Sequence, residues 1–98
     1  MELKSIMTKD WEHCFLCGKP KHQIHHVMGG SRPIKKKSEK YGLLVPLCYS
    51  CHGKVHDTAS DFYYLLKRLA QEAFEKIYSR ALWMKEFGKN YIEGETWI

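Results

Sequence analysis

The sequence predicts a small α+β domain, with two short strands in its first half and amphipathic helices in its second. Three observations lead to this prediction. At 98 residues the chain is long enough for one marginal hydrophobic core and too short for two. All 4 cysteines and all 6 histidines lie before residue 57, among short apolar runs. After residue 57 the apolar residues recur at helical spacing instead.

The charge is distributed as unevenly as the cysteines. Residues 1 to 56 carry 10 Lys and Arg against 4 Asp and Glu, whereas residues 57 to 98 carry 6 against 7. With 44% hydrophobic and 13% aromatic residues, the composition is that of a folded protein and excludes a disordered tail. A basic face confined to one half of a small domain favours a polyanion as partner.

The four cysteines form two Cys-x-x-Cys pairs, Cys14 with Cys17 and Cys48 with Cys51. Two such pairs offer four thiolates to one tetrahedral ion, and Gly18 fits a turn around it, so we expect structural zinc. Disulfides in a secreted protein are the alternative, but the N-terminus has no apolar stretch typical of a signal peptide. No run of about 18 apolar residues occurs either. We therefore expect a cytoplasmic protein, where reducing conditions favour zinc over disulfides or a redox role.

The first half is predicted to contain two short strands. After an arm over residues 1 to 12, the β-branched residues within 22–28 and the following Gly-Gly-Ser predict a strand and then a turn. Residues 43–47 predict a second strand, which Pro46 places at an edge or ends. Between them, residues 29–40 combine proline with positive charge and predict a mobile basic loop. Its cationic residues are Arg32, Lys35, Lys36, Lys37 and Lys40.

The second half is predicted to be helical. Apolar residues at steps of three and four between residues 62 and 78 indicate an amphipathic helix of about five turns, capped by Thr58 or Ser60. Ser79 is expected to cap a second short helix that runs to Phe87 and ends at Gly88 in the left-handed conformation. We expect the apolar stripe to pack against the metal-binding half; dimerisation is the alternative.

Four histidines form a second candidate site. His52 and His56 are one turn apart on a predicted helix that Gly53 weakens, so both imidazoles lie on one face. One imidazole of the first strand completes a three-histidine set, and adjacent strand residues point to opposite faces, so His25 and His26 differ in role. Three protein ligands with open positions are typical of a catalytic metal. In the alternative, His52 joins the zinc site and His56 is a surface residue. The other two histidines are expected at the surface: His13 and His22.

Beside a basic loop, such a site suits phosphodiester hydrolysis. A divalent ion neutralises the phosphate and the leaving oxygen, while a neutral imidazole, with a pKa near 6.5, accepts a proton from the attacking water. Lysines and arginines hold the nucleic-acid backbone without reading its sequence.

The order of these motifs resembles the HNH endonucleases, the zinc-knuckle branch of the His-Me finger (ββα-metal) nucleases. The resemblance covers residues 14–56 and rests on Cys14-x-x-Cys17, His25-His26-Val27 and Leu43-Leu44-Val45-Pro46-Leu47-Cys48-x-x-Cys51-His52-x-x-x-His56. The segment Phe87-Gly88-Lys89-Asn90-Tyr91 is similar to the tail of small phage and prophage HNH proteins. The fold implied is a ββα-metal core stapled by a four-cysteine zinc site and followed by C-terminal α-helices.

The resemblance also implies roles for individual residues. His26 matches the general base, and the cysteines match the structural zinc ligands. The ligands implied for the catalytic divalent ion are His25, His52 and His56. In one departure, the family's asparagine before the second cysteine pair is missing, where the chain reads Tyr41-Gly42-Leu43; a backbone carbonyl is the alternative partner for the base. Mg²⁺, Mn²⁺, Ni²⁺ and Zn²⁺ are all candidate ions, and imidazole ligands favour the last three.

We therefore predict a single domain over residues 1–98, with a nuclease core over 14–56 and a helical support over 58–88. The predicted function is metal-dependent hydrolysis of DNA, branched and single-stranded forms included, to 5′-phosphate and 3′-hydroxyl ends. The basic loop is its predicted contact. A homodimer or a phage recombination or replication protein is a further candidate partner, and no membrane is involved. The main alternative is a catalytically inactive nucleic-acid-binding zinc module of the same fold; an RNA nuclease and an unrelated zinc interaction domain are the others.

Overall fold

Two short strands and four helices form the part of the protein that the computed structural model describes, residues 4–92. In chain order they are β1 (Gln23–His26), α1 (Arg32–Tyr41), β2 (Leu44–Leu47), α2 (Tyr49–His56), α3 (Asp61–Ile77) and α4 (Arg80–Phe87). The predicted α+β class is thus confirmed. The first three residues of the predicted N-terminal arm lie outside the described residues. None of the helices between residues 4 and 92 has the length and apolar character needed to cross a membrane.

The two strands form an antiparallel pair that positions the first half of the chain. Gln23 pairs with Leu47 and His26 with Leu44, so both ends of the pair are in register. β2 is buried along its whole length, whereas the side chains of β1 are partly exposed. On its other edge, β2 is bonded to the first cysteine loop, since Phe15 N–H donates to Pro46 O at 2.8 Å. β2 therefore lies between β1 and the cysteine loop.

The predicted basic loop over residues 29–40 is wrong, because most of it forms helix α1. Ser31 Oγ accepts a hydrogen bond from Ile34 N–H and caps the helix. Pro33 lies in the first turn, where backbone N–H groups have no partner within the helix, so the missing N–H of proline costs no hydrogen bond. Gly42 ends the helix in the left-handed conformation at φ 74°. The cationic residues assigned to a loop all lie on this helix: Arg32, Lys35, Lys36, Lys37 and Lys40.

Helix α1 is held to the end of β1 by a buried serine. Ser38 is 0% exposed, and its Oγ donates to Met28 O at 2.5 Å while accepting from Met28 N–H at 3.1 Å. Both backbone groups of Met28 are thereby satisfied inside the protein. Because Ser38 and Tyr41 are buried and Ile34 packs against the core, α1 is amphipathic despite its lysines.

The core of the second half is aromatic. Phe74 of α3 and Trp83 of α4 are both 0% exposed, with ring centroids 5.3 Å apart, and Tyr41 of α1 packs 5.1 Å from Phe74. The predicted caps Ser60 and Ser79 are confirmed, since each accepts a backbone N–H at the start of its helix. Gly88 ends α4 at φ 78°, as predicted.

The buried stripe of α3 is narrower than its sequence indicates. Leu66, Ala70 and Phe74 are buried, but Ile77 is 57% exposed and Leu65 is 41% exposed. Gln71, a polar residue, is 0% exposed instead. Its amide donates to Glu75 Oε2 and Asn90 Oδ1 and accepts from Tyr91 N–H, so the segment after α4 is bonded to α3.

Candidate metal centres

The two cysteine pairs meet between the first loop and the start of α2. Cys14 N–H donates to Lys19 O and Gly18 N–H donates to Cys14 O, which folds the loop back on itself, with Gly18 at φ 82°. Cys48 caps α2, because its Sγ accepts from Cys51 N–H at 3.5 Å. The Sγ atoms of both pairs all lie within 4.8 Å of one another.

This cysteine cluster fits a tetrahedral zinc ion. Sulfurs bound to zinc at about 2.3 Å are about 3.8 Å apart in a tetrahedron. Cys17 Sγ and Cys48 Sγ are 3.5 Å apart, and the two cysteines of each pair are three positions apart in the sequence. The sequence prediction that the four cysteines share one site is confirmed, and the cluster could hold zinc.

The thiols of the cysteine cluster differ in pKa. Burial opposes ionisation of Cys14, but backbone N–H groups, first that of Cys48, donate to its sulfur and lower its pKa to about 6. Burial and the neighbouring thiols, first that of Cys48, raise the pKa of Cys51 to about 12. A divalent cation bound by the four sulfurs would lower the pKa of each thiol, because it favours the thiolate form of every ligand.

The three-histidine group lies where β1 faces α2. The Nε2 atoms of His52 and His56 are 2.9 Å apart, and the ring of His25 is 5.3 Å and 5.2 Å from theirs. One nitrogen from each of the three residues lies within 4.8 Å of the others. Two nitrogens at about 2.1 Å from one ion and at right angles are about 3 Å apart, so the pair on α2 has the spacing of two ligands.

Two of the three imidazoles are suited to a metal by their charge as well. Burial, then the proximity of His52 and His56, lowers the pKa of His25 to about 3. Burial, then His56, lowers the pKa of His52. Neutral imidazoles have a free lone pair for an ion, and an all-imidazole set suits zinc, nickel and similar metals. His52 groups with His25 and His56 rather than with the cysteines, so the alternative assignment of His52 to the cysteine site is wrong.

His26 lies beside this group but has a different partner. Its Nε2–H donates to Glu39 Oε2 of α1 at 2.8 Å, because a carboxylate only accepts. In the neutral ring this bond leaves the lone pair of His26 on Nδ1. His26 nevertheless lines the same cavity of about 340 Å³ as the three-histidine group. The two adjacent strand histidines thus have different partners, although both line one cavity.

The basic residues of α1 lie in different environments. Lys35 lines the histidine cavity. Lys37 is turned away toward α4, where its Nζ donates to Glu86 O at 2.9 Å and lies 3.6 Å from Glu86 Oε1. Lys40 Nζ lies 5.2 Å from the ring centre of Tyr41. The remaining two are exposed on the same helix: Arg32 and Lys36.

Sequence reasoning missed three residues of the cavity region. Glu39 lies in the segment predicted to be a loop, so its bond to His26 could not be foreseen. Lys67 and Tyr63 belong to α3, for which the sequence predicts only a supporting role, yet both line the cavity. Lys67 Nζ donates to Val27 O at 2.9 Å and lies 4.7 Å from the centre of the Tyr63 ring. Burial, then the charge of Lys89, lowers the pKa of Lys67.

The chain was compared with known proteins at three levels. No protein-family model, curated protein or solved structure matches it.

Proposed function

We propose that the protein is a metal-dependent DNA endonuclease of the HNH type, whose active site is the cavity between β1, α2 and α3. The observation that carries the proposal is the convergence of His25, His52 and His56 beside a fourth histidine that is bonded to a carboxylate. In this proposal the three-histidine group holds an ion, and the fourth histidine, His26, accepts a proton. The order of β1, β2 and α2 supports a ββα-metal core, with α1 inserted between its strands.

The proton acceptor in the proposed reaction is His26. Glu39 holds the Nε2–H of its ring, so Nδ1 accepts the proton of the water that attacks phosphorus. The bond between phosphorus and the 3′ oxygen breaks, the 5′ phosphate retains the new oxygen, and the 3′ oxygen takes a proton from solvent. A divalent ion bound by His25, His52 and His56 would withdraw negative charge from the phosphate during this step.

The cations of the cavity hold the phosphodiester. Lys35 and Lys67 reach the cavity from two different helices, one from α1 and one from α3. Lys67 is partly desolvated, so its attraction to a phosphate is screened less than that of an exposed lysine. The cysteine cluster, with structural zinc, fixes the start of α2 and so positions the histidines further along that helix.

The experiment is nicking of supercoiled plasmid by the purified protein with Mg²⁺, Mn²⁺, Ni²⁺ or Zn²⁺. We expect nicking with at least one ion and a loss of about 10²- to 10⁴-fold in His26→Ala, the range for a general base. The matched control is His13→Ala, since His13 is also exposed and bonded to a carboxylate, that of Asp10. It should nick like the parent.

Two outcomes would overturn the proposal. Equal nicking by His26→Ala and the parent would exclude the assigned base. Binding of DNA by the parent with no nicking in any of the ions would favour the nucleic-acid-binding zinc module without catalysis.

A further inference from the structure

We propose that a strip of tyrosines and lysines beside the histidine cavity binds the unpaired bases of single-stranded DNA. We call it the tyrosine strip, and it consists of Tyr63, Tyr64, Lys67, Lys89 and Tyr91. Helix α3 contributes the first three residues, and the segment after α4 contributes the other two. The inference rests on the nuclease function proposed above, since it names the form of DNA that the cavity receives.

The tyrosine strip begins at the cavity itself. Tyr63 and Lys67 line the cavity, and the Lys67 ammonium lies over the Tyr63 ring. The ring of Tyr64 is 4.9 Å from that of Tyr63, with 81° between their planes. Tyr64 is 49% exposed. A nucleotide leaving the cavity would therefore meet an accessible aromatic ring at once.

The far end of the tyrosine strip is anchored by buried polar groups. Trp83 Nε1–H donates to Lys89 O at 2.7 Å, and Tyr91 N–H donates to Gln71 Oε1 at 2.7 Å. Trp83 and Gln71 are both 0% exposed. The backbone of Lys89 and of Tyr91 is therefore held in place before any ligand binds, which lowers the entropy cost of binding.

One lysine bridges the two ends of the strip. Lys89 Nζ lies 5.7 Å from the ring centre of Tyr64 and 5.3 Å from that of Tyr91. Burial, then the proximity of Tyr63 and Tyr64, raises the pKa of Tyr91, in keeping with a close group of phenol rings. The strip is thus continuous from the cavity to the segment after α4.

The charges of the strip are not neutralised by the protein. Within residues 4–92, neither Lys67 nor Lys89 forms an ion pair with a carboxylate; their neighbours are aromatic rings and, for Lys67, a carbonyl oxygen. A cation over a ring keeps its full charge for an anionic ligand. Positive charge together with exposed aromatic rings is the surface that binds single strands.

The aromatic content favours an unpaired strand over a duplex. In a duplex the bases stack on one another and the outside presents mainly phosphates, which would use Lys67 and Lys89 but not the rings. In a single strand each base has a free π face for Tyr64 or Tyr91. RNA has the same faces, so the experiment includes it.

The test is fluorescence anisotropy with labelled oligonucleotides, in a His26→Ala background so that the DNA stays intact. We expect single-stranded DNA to bind about tenfold more tightly than the same sequence as a duplex. Tyr64→Leu should weaken single-strand binding about tenfold and leave duplex binding unchanged, whereas Tyr64→Phe, which keeps the ring, should bind normally. Lys89→Gln should weaken binding of both DNA forms. The matched control is Lys85→Gln, an exposed lysine of α4, which should change neither.

Three results would overturn the inference: equal affinity for single strand and duplex, no effect of Tyr64→Leu, or tighter binding of single-stranded RNA than of DNA. The nuclease proposal is judged separately, by plasmid nicking. If the parent nicks but Tyr64→Leu binds single strands like the parent, only the strip is refuted. If single strands bind through Tyr64 but no ion supports cleavage of either the plasmid or the single-stranded oligonucleotide by the parent, the strip stands as a DNA-binding surface and the nuclease is refuted.

Discussion

At the scale of single residues, the bond between His26 and Glu39 determines which imidazole nitrogen is free. Glu39→Ala removes the acceptor, so the ring loses its fixed orientation and tautomer. We expect kcat for plasmid nicking to fall about 10- to 100-fold, with KM nearly unchanged. Glu39→Gln keeps an oxygen that accepts from Nε2–H and should lose less.

The control for this prediction is Glu72→Ala, which removes a partly exposed carboxylate of α3 that pairs with Arg68. It should leave kcat unchanged. If Glu39→Ala lowers the melting temperature in parallel with kcat, Glu39 supports the fold rather than the base.

Lys67 provides a second test at this scale, because it is the cation that α3 brings into the cavity. Lys67→Gln removes the charge but keeps an N–H donor for Val27 O, so the fold should be little affected. We expect kcat/KM for nicking to fall about tenfold, since a partly desolvated charge near a phosphate is weakly screened. Lys76→Gln, at an exposed position of the same helix, is the control in the same assay. Equal losses in the two variants would contradict a site-specific role.

These two residues also mark what the sequence could not predict. The cysteine and histidine sets were predicted because their spacing along the chain carries the information, as with His52 and His56 one turn apart. Glu39 and Lys67 have no such local signature, since each belongs to a charged helix face like many others. Glu39 reaches His26, and Lys67 reaches the cavity, only through the way that α1 and α3 pack in the folded chain, and that packing is not encoded by periodicity.

At the scale of elements, α1 shows how one composition can indicate two structures. Pro33 and the lysines favour a loop, although proline is also favoured in the first turn of a helix. Ser31 as N-cap and Gly42 as C-cap complete a full set of helix signals. Helix α3, with its long apolar period, was predicted to within one residue at each end. The difference lies in the length of the apolar pattern, since the inward side of α1 has only two apolar residues, Ile34 and Tyr41, beside the buried Ser38.

Replacing either of two glycines with alanine should change the free energy of unfolding, in opposite directions at the two positions. Gly42 ends α1 at φ 74°, and a Cβ there would lie 3.1 Å from Ile6 N. Gly42→Ala should lower the free energy of unfolding by about 2 kcal/mol, from left-handed strain and this contact. Gly53 lies within α2 with no atom within 4 Å of an added Cβ, so Gly53→Ala should raise that free energy by about 0.5–1 kcal/mol.

Thermal unfolding followed by circular dichroism checks both variants, since 1 kcal/mol corresponds to about 4–8 °C in a domain of this size. Each glycine is the other's control, because both changes add one methyl group. A higher melting temperature for Gly42→Ala would contradict both the strain at φ 74° and the contact with Ile6.

At the scale of the whole molecule, α2 contributes residues to both candidate metal sites. Cys48 caps its start and Cys51 lies in its first turn, and the helix continues through His52 and His56. The cysteine cluster ties this helix to the first loop across more than thirty residues of chain, as the contact of Cys17 with Cys48 shows. The histidine group joins the same helix to β1. The two candidate metal sites are thus adjacent on one helix, and in the proposed function one serves the fold and the other the reaction.

This separation predicts different results for two variants of α2. Cys48→Ser keeps a good helix cap but removes a zinc ligand, so it isolates the contribution of the metal. Structural zinc contributes about 10–16 kcal/mol in small domains, which is comparable to the whole stability of a protein of this size. Cys48→Ser should therefore be unfolded by circular dichroism and hold no tightly bound zinc. His56→Ala, at an exposed position, should melt like the parent, keep one tightly bound zinc by metal analysis and fail to nick plasmid. Unfolding of both variants would instead mean that one shared ion holds the cysteines and histidines together.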